Sequence, residues 1–385
     1  MPISAKPRHG RPRTMELINP GSGTRRSWLQ RIHLDGPLLT GLILLCGIGL
    51  AILYSAAGQN SDLVERQLIR LGLAFATLFA FAQIPPQLLY RWAPWIFGAG
   101  VLLLVAVLVM GDVGKGAQRW LDLGVVRFQP SEAMKLAVPM MLAWYLAETP
   151  LPPGWRKLAG AGELILVPTL LIAKQPDLGT SLLIASAGFF VLFLAGISWR
   201  LLGGLTALGA AGLPVLWYFM RDYQRQRVIT FLNPEADPLG AGYHIIQSKI
   251  AIGSGGLYGK GWLNGTQAHL EFLPERSTDF IFAVLGEEFG LIGILLVLAV
   301  YSAIVLRSLY IATQAQDTFT RLLGGSLALT FFVYLIVNTG MVTGLLPVVG
   351  LPLPLISYGG TSMVTLMAGF GILMSIHTHR KLLPG

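Results

Sequence analysis

The sequence has few charged residues and almost no cysteine. Only 12% of its 385 residues are charged and 54% are hydrophobic, whereas a soluble domain carries about 25% charged residues. This deficit excludes a soluble globular protein and predicts that the bilayer is the solvent for most of the chain. The single cysteine, Cys46, allows no intramolecular disulfide, so packing alone holds any part that faces an oxidising compartment.

Basic residues outnumber acidic ones, with a formal net charge of +9. They lie in the tails and between apolar segments, which predicts contact with anionic membrane lipid and no nucleic-acid partner. Residues 1–37 are basic and rich in Pro, Gly and Ser, which predicts a disordered cytosolic tail ahead of a membrane domain over 38–385. The apolar run that follows is longer than the core of a signal peptide, about 7–15 residues, so we expect a retained first helix.

Ten apolar segments approach the length of about 20 residues that crosses the hydrocarbon core. They cover residues 38–57, 67–84, 88–110, 131–148, 162–174, 178–197, 201–221, 279–306, 322–345 and 360–378. The predicted fold class is therefore an all-α integral membrane protein with about ten transmembrane helices. The fifth segment is short and ends in the polar sequence Lys174-Gln175-Pro176-Asp177.

An even number of spans places both termini on one side of the membrane. Basic residues precede the first span, and Arg380 and Lys381 follow the last; the preceding ones are Lys6, Arg8, Arg11, Arg13, Arg25, Arg26 and Arg31. Because cytoplasmic segments carry an excess of Lys and Arg, both termini are predicted to be cytoplasmic.

One connection, over 222–278, is far longer than the others, and loops beyond about 12–15 residues are usually functional or disordered. Its apolar residues between Tyr243 and Ile252 predict a short amphipathic helix at the membrane surface, and its glycines predict tight turns. We expect this loop to be periplasmic. The proline-rich segment Leu346–Leu355 cannot form a regular helix, and we expect a re-entrant or capping segment.

Ionisable residues inside or beside a span are costly, by roughly 2.5–3.5 kcal/mol on insertion scales. Asp279 begins the eighth span. It has two interpretations: a charge in the first turn of a helix capped by Ser277 or Thr278, or a general base beneath the long loop. Glu287 and Glu288 follow about 12 Å deeper at the helical rise. A hydrogen-bond network, a cytoplasm-facing cavity and a catalytic role all remain open for them.

Two further polar groups have both a structural and a functional interpretation. Glu132 and Lys135 share a helix face, so they form either a simple ion pair or a cation site that faces a cavity. Lys174 and Asp177 form either a turn with a local ion pair or part of a functional site. The histidines show no paired spacing, so no metal site is predicted.

Several motifs, taken in order, resemble the RodA branch of the SEDS family (shape, elongation, division and sporulation). They are Arg119-Trp120-Leu121, Phe128-Gln129-Pro130-Ser131-Glu132 with Lys135, Gln175-Pro176-Asp177-Leu178-Gly179-Thr180, Lys260-Gly261-Trp262-Leu263-Asn264-Gly265-Thr266-Gln267, Phe272-Leu273-Pro274-Glu275, Thr278-Asp279-Phe280-Ile281-Phe282-Ala283, Gly286-Glu287-Glu288 and Ser357-Tyr358-Gly359-Gly360-Thr361-Ser362. Each is weak alone, but the ordered set is specific and covers nearly all of 38–380.

The resemblance implies a ten-span peptidoglycan glycosyltransferase of the bacterial inner membrane that polymerises lipid II during cell elongation and rod-shape maintenance. Its active site would face the periplasm. The 4-hydroxyl of one lipid II would attack the anomeric carbon of another, with inversion and loss of undecaprenyl diphosphate. The implied partners are a class B penicillin-binding transpeptidase and other membrane proteins of the elongation complex.

The resemblance assigns the general-base role to Asp279. The implied substrate-binding residues are Lys135, Glu132, Arg119, Trp120, Arg276, Glu275, Lys174 and Asp177, with cations facing the diphosphate and Glu132 orienting Lys135. No organic cofactor is expected, and no sequence feature establishes a divalent cation. Two rival hypotheses remain: a lipid II flippase, which broken helices with intramembrane charge also suit, and a scaffold that only recruits the transpeptidase.

Overall fold

The protein is a bundle of long helices. The computed structural model describes residues 31–114, 117–122, 127–220, 222–236, 241–270, 272–273 and 275–379. Within them the helices are Gly36–Ala56 (α1), Ser61–Gln83 (α2), Pro86–Met110 (α3), Pro130–Ala147 (α4), Trp155–Lys174 (α5), Leu178–Leu194 (α6), Trp199–Phe219 (α7), Asp222–Leu232 (α8), Ala241–Gly255 (α9), Thr266–His269 (α10), Ile281–Thr313 (α11), Thr318–Thr343 (α12) and Thr361–Thr378 (α13).

Each of the ten predicted spans coincides with one long helix, so the predicted all-α membrane fold is confirmed. Within the described ranges, α1, α3, α11, α12 and α13 are long and apolar enough to cross a membrane by length and composition alone. The fifth span is longer than predicted, because α5 begins at Trp155 rather than at 162. The first turn of α5 carries Arg156 and Lys157, which interrupt the apolar run but not the helix.

Local sequence fixes several helix starts. Asn60 caps α2 by accepting hydrogen bonds from the backbone N–H groups of Asp62 and Leu63, and Asp317 caps α12 by accepting one from Thr320. Such caps satisfy backbone donors that have no partner inside the helix. At its other end α12 stops at Gly344, whose φ of +75° suits glycine.

The two ends of the bundle are named by α1. The end where α1 begins, beside Asp35, is here the tail end, and the opposite end, where α1 stops after Ser55, is the loop end. Of the predicted tail over 1–37, residues 1–30 lie outside the described residues. The segment 31–37 is packed against the bundle: Leu34 and Asp35 are buried, and the side-chain amide of Gln83 donates to the backbone carbonyl of Ile32 over 2.8 Å.

A small antiparallel sheet at the loop end was not predicted. It joins α3 to α4 and consists of Asp112–Gly114 (β1), Ala117–Asp122 (β2) and Arg127–Phe128 (β3), in the order β1-β2-β3. Asp112 pairs with Trp120, and Leu121 pairs with Phe128. Strands this short give too few alternating residues for a period of two to be read from the sequence.

The predicted helices in the long loop are confirmed, but α9 does more than lie on the membrane surface. It packs against α11 and α12, with Ile245, Ser248 and Ala251 buried. The Ser248 hydroxyl donates to the carbonyl of Val342 over 2.7 Å. The loop is therefore anchored to the bundle close to the end of α12.

The helix α11 is broken at Gly290, which has φ +62° and ψ −162°. Beyond the break, the N–H groups of Leu291 and Ile292 donate to the carbonyls of Gly256 and Leu257 over 3.0 and 3.1 Å. A Cβ atom at Gly290 would lie 2.4 Å from the nitrogen of Gly259, so only glycine fits. The turn that follows α9 thus supplies partners for backbone groups that the break exposes.

The segment Leu346–Leu355 enters the bundle as predicted. It has no helical residues before Pro354, and Leu351, Leu353 and Leu355 are buried. The Tyr301 hydroxyl of α11 donates to the carbonyl of Pro354. A Cβ atom at Gly49 of α1 would lie 2.9 Å from the carbonyl oxygen of Leu355. Neighbouring helices therefore surround this irregular backbone and donate hydrogen bonds to its carbonyls. Non-helical backbone within a membrane needs such partners.

Candidate active site

Asp279 lies in the turn that precedes α11, and its side chain is half-buried. The helix N-cap is Phe280, which has no side-chain cap hydrogen bond. Instead of capping α11, the Thr278 hydroxyl donates to the Glu275 carboxylate over 2.8 Å. The predicted cap by Ser277 or Thr278 is therefore wrong, whereas Asp279, directly before the N-cap, still lies close to the positive end of the α11 dipole.

Hydrogen bonds to neighbouring helices show that Asp279 is recessed. The side-chain amide of Asn338 in α12 donates to the backbone carbonyl of Asp279 over 3.0 Å, and Ser357 donates to that of Thr278 over 2.6 Å. The backbone carbonyl of Ser357 in turn accepts a hydrogen bond from the side-chain amide of Gln67 in α2. Asn338 lies five residues from the loop end of α12, and Gln67 lies six residues from the loop end of α2. At the helical rise this is a depth of about 7–9 Å.

Lys135 and Glu132 form a buried ion pair in the first turns of α4. Lys135 Nζ lies 2.6 Å from Glu132 Oε1, and both residues are less than a tenth exposed. Lys135 Nζ also lies 5.3 Å from the ring centroid of Tyr334 in α12. The predicted ion pair is confirmed, and Lys135 also lines a cleft against α12 and α13. Binding of an anionic group by Lys135 stays a prediction.

The second polar cluster lies at the loop ends of α4 and α6. The Arg119 guanidinium donates to the backbone carbonyls of Gln175 and Pro176, and its Nη1 lies 3.8 Å from Asp177 Oδ2. The side-chain amide of Gln129 donates to the same carboxylate oxygen over 3.2 Å. Asp177 also caps α6 by accepting from Thr180. Arg119, from the sheet, is thus fixed over the start of α6.

One face of α12 joins these groups. Tyr334, beside Lys135, and Asn338, which binds the backbone of Asp279, are four residues apart and so lie one turn apart on the same side of the helix. The amide of Asn338 also donates to the carbonyl of Leu351 over 2.7 Å. Leu351 packs with Tyr334 and with Leu183 of α6. The structure therefore brings Asp279, Lys135 and the start of α6 around one segment of the re-entrant chain.

Gly350 of the re-entrant segment lies beside the Asp279 carboxylate. Its φ is +74°, a left-handed conformation that favours glycine. A Cβ atom built there would lie 3.6 Å from Asp279 Oδ2. On the other side of the segment, a Cβ atom at Gly179 of α6 would lie 2.9 Å from the carbonyl oxygen of Val349. Small residues thus let the re-entrant segment fit between α6 and Asp279.

Other predicted site residues are placed less centrally. Arg276 reaches the connection between α1 and α2, where a Cβ atom at Gly58 would lie 3.9 Å from its Nη2. Lys174 is exposed, and the predicted local ion pair with Asp177 is wrong, because Asp177 pairs with Arg119 instead. Glu275 is exposed and holds the turn through Thr278. Trp120 lies half-buried in β2.

Glu287 and Glu288 do not lie deeper in the membrane than Asp279. Ser55, the penultimate residue of α1 at the loop end, donates to Glu288 Oε1. Glu287 Oε1 lies 2.7 Å from Lys260 Nζ and accepts from the Thr266 hydroxyl and the Gln267 N–H. The predicted depth assumed that the helix runs straight inward from Asp279. The helix instead changes direction at Gly290, just after these two residues, so residues 281–289 do not share the direction of the long segment that follows. The hydrogen-bond-network interpretation is the one that the contacts confirm.

Sequence reasoning missed three residues that surround Asp279. Asn338 and Tyr334 are polar and buried inside an apolar span, which is the same signal of unusual cost that singled out the charged residues. His244 of α9 stacks on Phe280 with ring centroids 5.7 Å apart. Burial lowers the pKa of His244 below its usual value, against the opposing effect of the Glu275 carboxylate. A neutral histidine thus flanks the turn that carries Asp279.

Several buried polar atoms at the loop end have no hydrogen-bond partner among the described residues. They are Ser131 Oγ, Glu132 Oε2 and Asn338 Oδ1. An unpaired buried polar atom costs about 1–3 kcal/mol, and native structures rarely keep one without a reason. The buried ammonium can bind an anionic group, the unused acceptors can take hydrogen bonds from ligand hydroxyl or N–H groups, and the recessed acid can remove a proton. In the same described part, no three His, Cys, Asp or Glu side chains converge to hold a metal ion.

Comparisons with known proteins identify the family of this chain. The sequence profile of the cell cycle protein family of FtsW, RodA and SpoVE matches residues 36–382. The peptidoglycan glycosyltransferase MrdB of Escherichia coli K12 is 56% identical over 360 residues, which cover 93% of this chain and 97% of MrdB. The peptidoglycan glycosyltransferase RodA of Treponema pallidum is 31% identical over 425 residues, which cover 90% and 98% of the two chains.

Two solved structures are also similar. One is a chain from a peptidoglycan synthase complex in which polymerization and crosslinking are coordinated. It is 35% identical and has a TM-score of 0.79, and the match covers 90% of this chain and 98% of that chain. The other is the rod shape determining protein RodA of Thermus thermophilus, with 31% identity, a TM-score of 0.68 and the same coverage. The chain therefore belongs to the FtsW, RodA and SpoVE family of cell cycle proteins.

Proposed function

We propose that this chain is a peptidoglycan glycosyltransferase that polymerises lipid II into glycan strands during cell elongation. The observation that carries the proposal is the recessed Asp279, which lies about 7–9 Å below the loop end. Its backbone is bound by Asn338, and one turn away on α12 Tyr334 lies beside Lys135. The names of the relatives, peptidoglycan glycosyltransferases MrdB and RodA, agree with this activity.

Asp279 acts as the general base. The 4-hydroxyl of the incoming lipid II attacks the anomeric carbon of the lipid-linked muramic acid and loses its proton to the carboxylate. The bond between the anomeric carbon and the diphosphate oxygen breaks, undecaprenyl diphosphate leaves with the electron pair, and the anomeric configuration inverts. Such proton transfer commonly contributes about 10²–10⁴ to a rate.

Lys135 and Arg119 supply positive charge for the leaving diphosphate. A cation that is already positioned where negative charge develops stabilises the transition state without reorganisation. Glu132 orients Lys135 through their 2.6 Å contact, and Asp177 orients Arg119. Arg276 reaches the α1–α2 connection. It therefore acts at the loop side of the site and not beside Lys135. A divalent cation at the diphosphate remains an untested expectation, and no organic cofactor is required by this chemistry.

The proposed partner is a class B penicillin-binding transpeptidase. Glycan strands need crosslinking to form a wall, and one similar structure comes from a complex that coordinates polymerization with crosslinking. We expect the two proteins to work together with other membrane proteins of the elongation complex.

The proposed location is the bacterial inner membrane, with both termini in the cytoplasm and the loop end in the periplasm. The basic residues ahead of α1 support this orientation under the positive-inside rule. Single cysteines at Ser22 and Asn264, in a Cys46→Ser background, test it with an impermeant maleimide in intact spheroplasts. Labelling at 264 alone is expected, and labelling at 22 alone would invert the orientation.

The direct test of function is glycan strand formation from purified lipid II by the purified protein, with and without its transpeptidase. We expect strands, and a larger yield in the complex. Translocation of lipid II across vesicle membranes without strand formation would instead indicate the flippase. Failure of both, in a folded complex, would indicate a scaffold.

A further inference from the structure

A groove on the lipid-facing surface between α3 and α5 is separate from the candidate active site. Its lining includes Pro94, Trp95 and Gly98 of α3 and Gly160, Glu163 and Leu164 of α5. Trp95 is 73% exposed, and a Cβ atom at Gly98 would meet nothing within 4 Å. The groove is thus open to the bilayer, and at Gly98 another backbone can approach closely.

Glu163 places a carboxylate on the lipid-facing surface of a membrane span, where a charge is energetically costly. Near the tail end of α5, Lys157 Nζ lies 4.4 Å from the ring centroid of Tyr145 in α4. Glu163 follows six residues later, about 9 Å farther along the helix. It is exposed and makes no hydrogen bond or ion pair with any residue in the described ranges. An acid that faces lipid within a span is costly, and such residues usually pair with another group.

The backbone of the groove also offers a hydrogen-bond acceptor. Pro168 lies inside α5. A proline has no N–H, so it leaves the carbonyl four residues earlier without its helical donor. That carbonyl belongs to Leu164, which lines the groove beside Glu163. The groove therefore combines a negative charge with a freed carbonyl, and no cationic side chain of the described residues lines it.

We infer that this groove binds a transmembrane helix of a further membrane protein, and that a Lys or Arg within the tail-end half of that helix pairs with Glu163. Charge complementarity selects the occupant, since a lipid acyl chain has no donor. The amine of a lipid headgroup lies near the membrane surface, at the level of Lys157 rather than of Glu163. Gly98, where a Cβ atom would meet nothing within 4 Å, lets the partner helix approach α3 closely enough for the two side chains to meet.

Site-specific photo-crosslinking in native membranes tests this assignment. A photoreactive amino acid replaces Leu102, which also lines the groove and is 72% exposed. The matched control is Leu295 of α11, which is 56% exposed and lies outside the groove. The full-length protein replaces the native copy in growing cells, and mass spectrometry identifies the adducts.

We expect an adduct at Leu102, absent at Leu295, with a membrane protein that has a Lys or Arg in the cytoplasmic half of a span. Its yield should fall at least tenfold in Glu163→Gln and persist in Glu163→Asp. Glu163→Lys should abolish the adduct, and replacing the partner's basic residue by Glu in that background should restore it. Polymerisation of lipid II by purified Glu163→Gln should stay at the wild-type rate.

Four results overturn the inference. They are adducts with lipid only, adducts with a second copy of this chain, an adduct whose yield is unchanged in Glu163→Gln, and no adduct at Leu102 in folded, active protein. Because the purified Glu163→Gln variant keeps its polymerase activity under the inference, failure here is distinguishable from failure of the proposed function.

Discussion

Two buried carboxylates at opposite ends of the bundle, Asp35 and Glu132, differ in how completely their oxygens are paired. At the tail end, Asp35 accepts from the Leu38 N–H over 3.0 Å and from Nε and Nη2 of Arg307 over 3.1 and 2.6 Å, and His377 Nδ1 lies 3.0 Å from Asp35 Oδ2. At the loop end, Glu132 uses one oxygen for Lys135, while its other oxygen and the hydroxyl of Ser131 have no partner among the described residues.

The difference separates structure from function. Both oxygens of Asp35 are used, and they join α1, α11 and α13, so this cluster ties three helices together. Unused polar atoms contribute nothing to the fold and cost about 1–3 kcal/mol each. Their presence beside Asp279 and Lys135 indicates a site that a ligand completes. The account therefore predicts opposite consequences for substitutions at the two ends.

The largest expected effect follows from Asp279→Asn. An amide cannot accept the proton of the attacking hydroxyl, so the rate of strand formation should fall by about 10²–10⁴. Asparagine has nearly the same shape as aspartate and keeps a side-chain oxygen acceptor, so the midpoint of thermal unfolding should change little. Strand formation at the wild-type rate would remove Asp279 from catalysis and favour the flippase.

Lys135→Met should damage both activity and stability. The variant leaves the Glu132 carboxylate buried without its partner, which commonly costs about 3–5 kcal/mol. The double variant Lys135→Met with Glu132→Gln removes that buried charge and should recover most of the stability. Strand formation should remain lower by orders of magnitude in both variants, because the diphosphate has lost its cation.

The measurements are thermal unfolding in detergent and strand yield from lipid II per folded molecule. A stable double variant that polymerises at nearly the wild-type rate would contradict the role of Lys135.

Arg307→Met should lose stability and keep activity, in contrast to Asp279→Asn. The guanidinium donates to both oxygens of Asp35, but a quarter of the Arg307 side chain is exposed, so the loss should be below the roughly 3–5 kcal/mol of a fully buried pair. The rate of strand formation per folded molecule should stay within about twofold of wild type. Arg156→Met, at an exposed position near the tail end, is the matched control and should leave both quantities unchanged.

The smallest effect concerns pH. Burial alone would raise the pKa of Asp35, but the neighbouring His377 and Arg307 side chains and the Leu38 N–H outweigh burial and hold this pKa well below its usual range. The ionised carboxylate is then favoured by folding, so its contribution is complete above the unfolded pKa of about 3.9 and is lost as pH falls toward the folded value.

Wild-type protein should accordingly lose thermal stability more steeply than Asp35→Asn between about pH 5 and pH 3. The measurement is the unfolding midpoint against pH for the two proteins. Parallel curves would show that Asp35 does not carry the pH dependence.

The sequence predicted the parts of this molecule that depend on length and composition. Apolar runs located ten helices, and the prolines of Leu346–Leu355 identified the re-entrant segment. The start of α5 was missed because Arg156 and Lys157 lie at a membrane surface, where a helix continues while its hydropathy falls. The sheet was missed because its strands are too short to show a period.

The candidate site was only partly predictable. The motifs identified Asp279, Lys135 and Glu132, but not the depth of the acid or the face of α12 that joins these residues. Glu287 and Glu288 were placed too deep, because the sequence gives no sign that the helix changes direction at Gly290, just after them. Asn338 was overlooked because an uncharged amide attracts less notice than an acid, although its hydrogen bonds hold the backbone of both Asp279 and Leu351.

The most direct test of the contrast between the two ends is the initial rate of strand formation from lipid II, per folded molecule, for Asp279→Asn and Arg307→Met side by side. The account predicts that Asp279→Asn loses about 10²–10⁴ of the rate with its unfolding midpoint intact, while Arg307→Met keeps the rate and loses stability. Equal rates for the two variants, or a loss of activity in Asp279→Asn that merely follows a loss of folded protein, would contradict it.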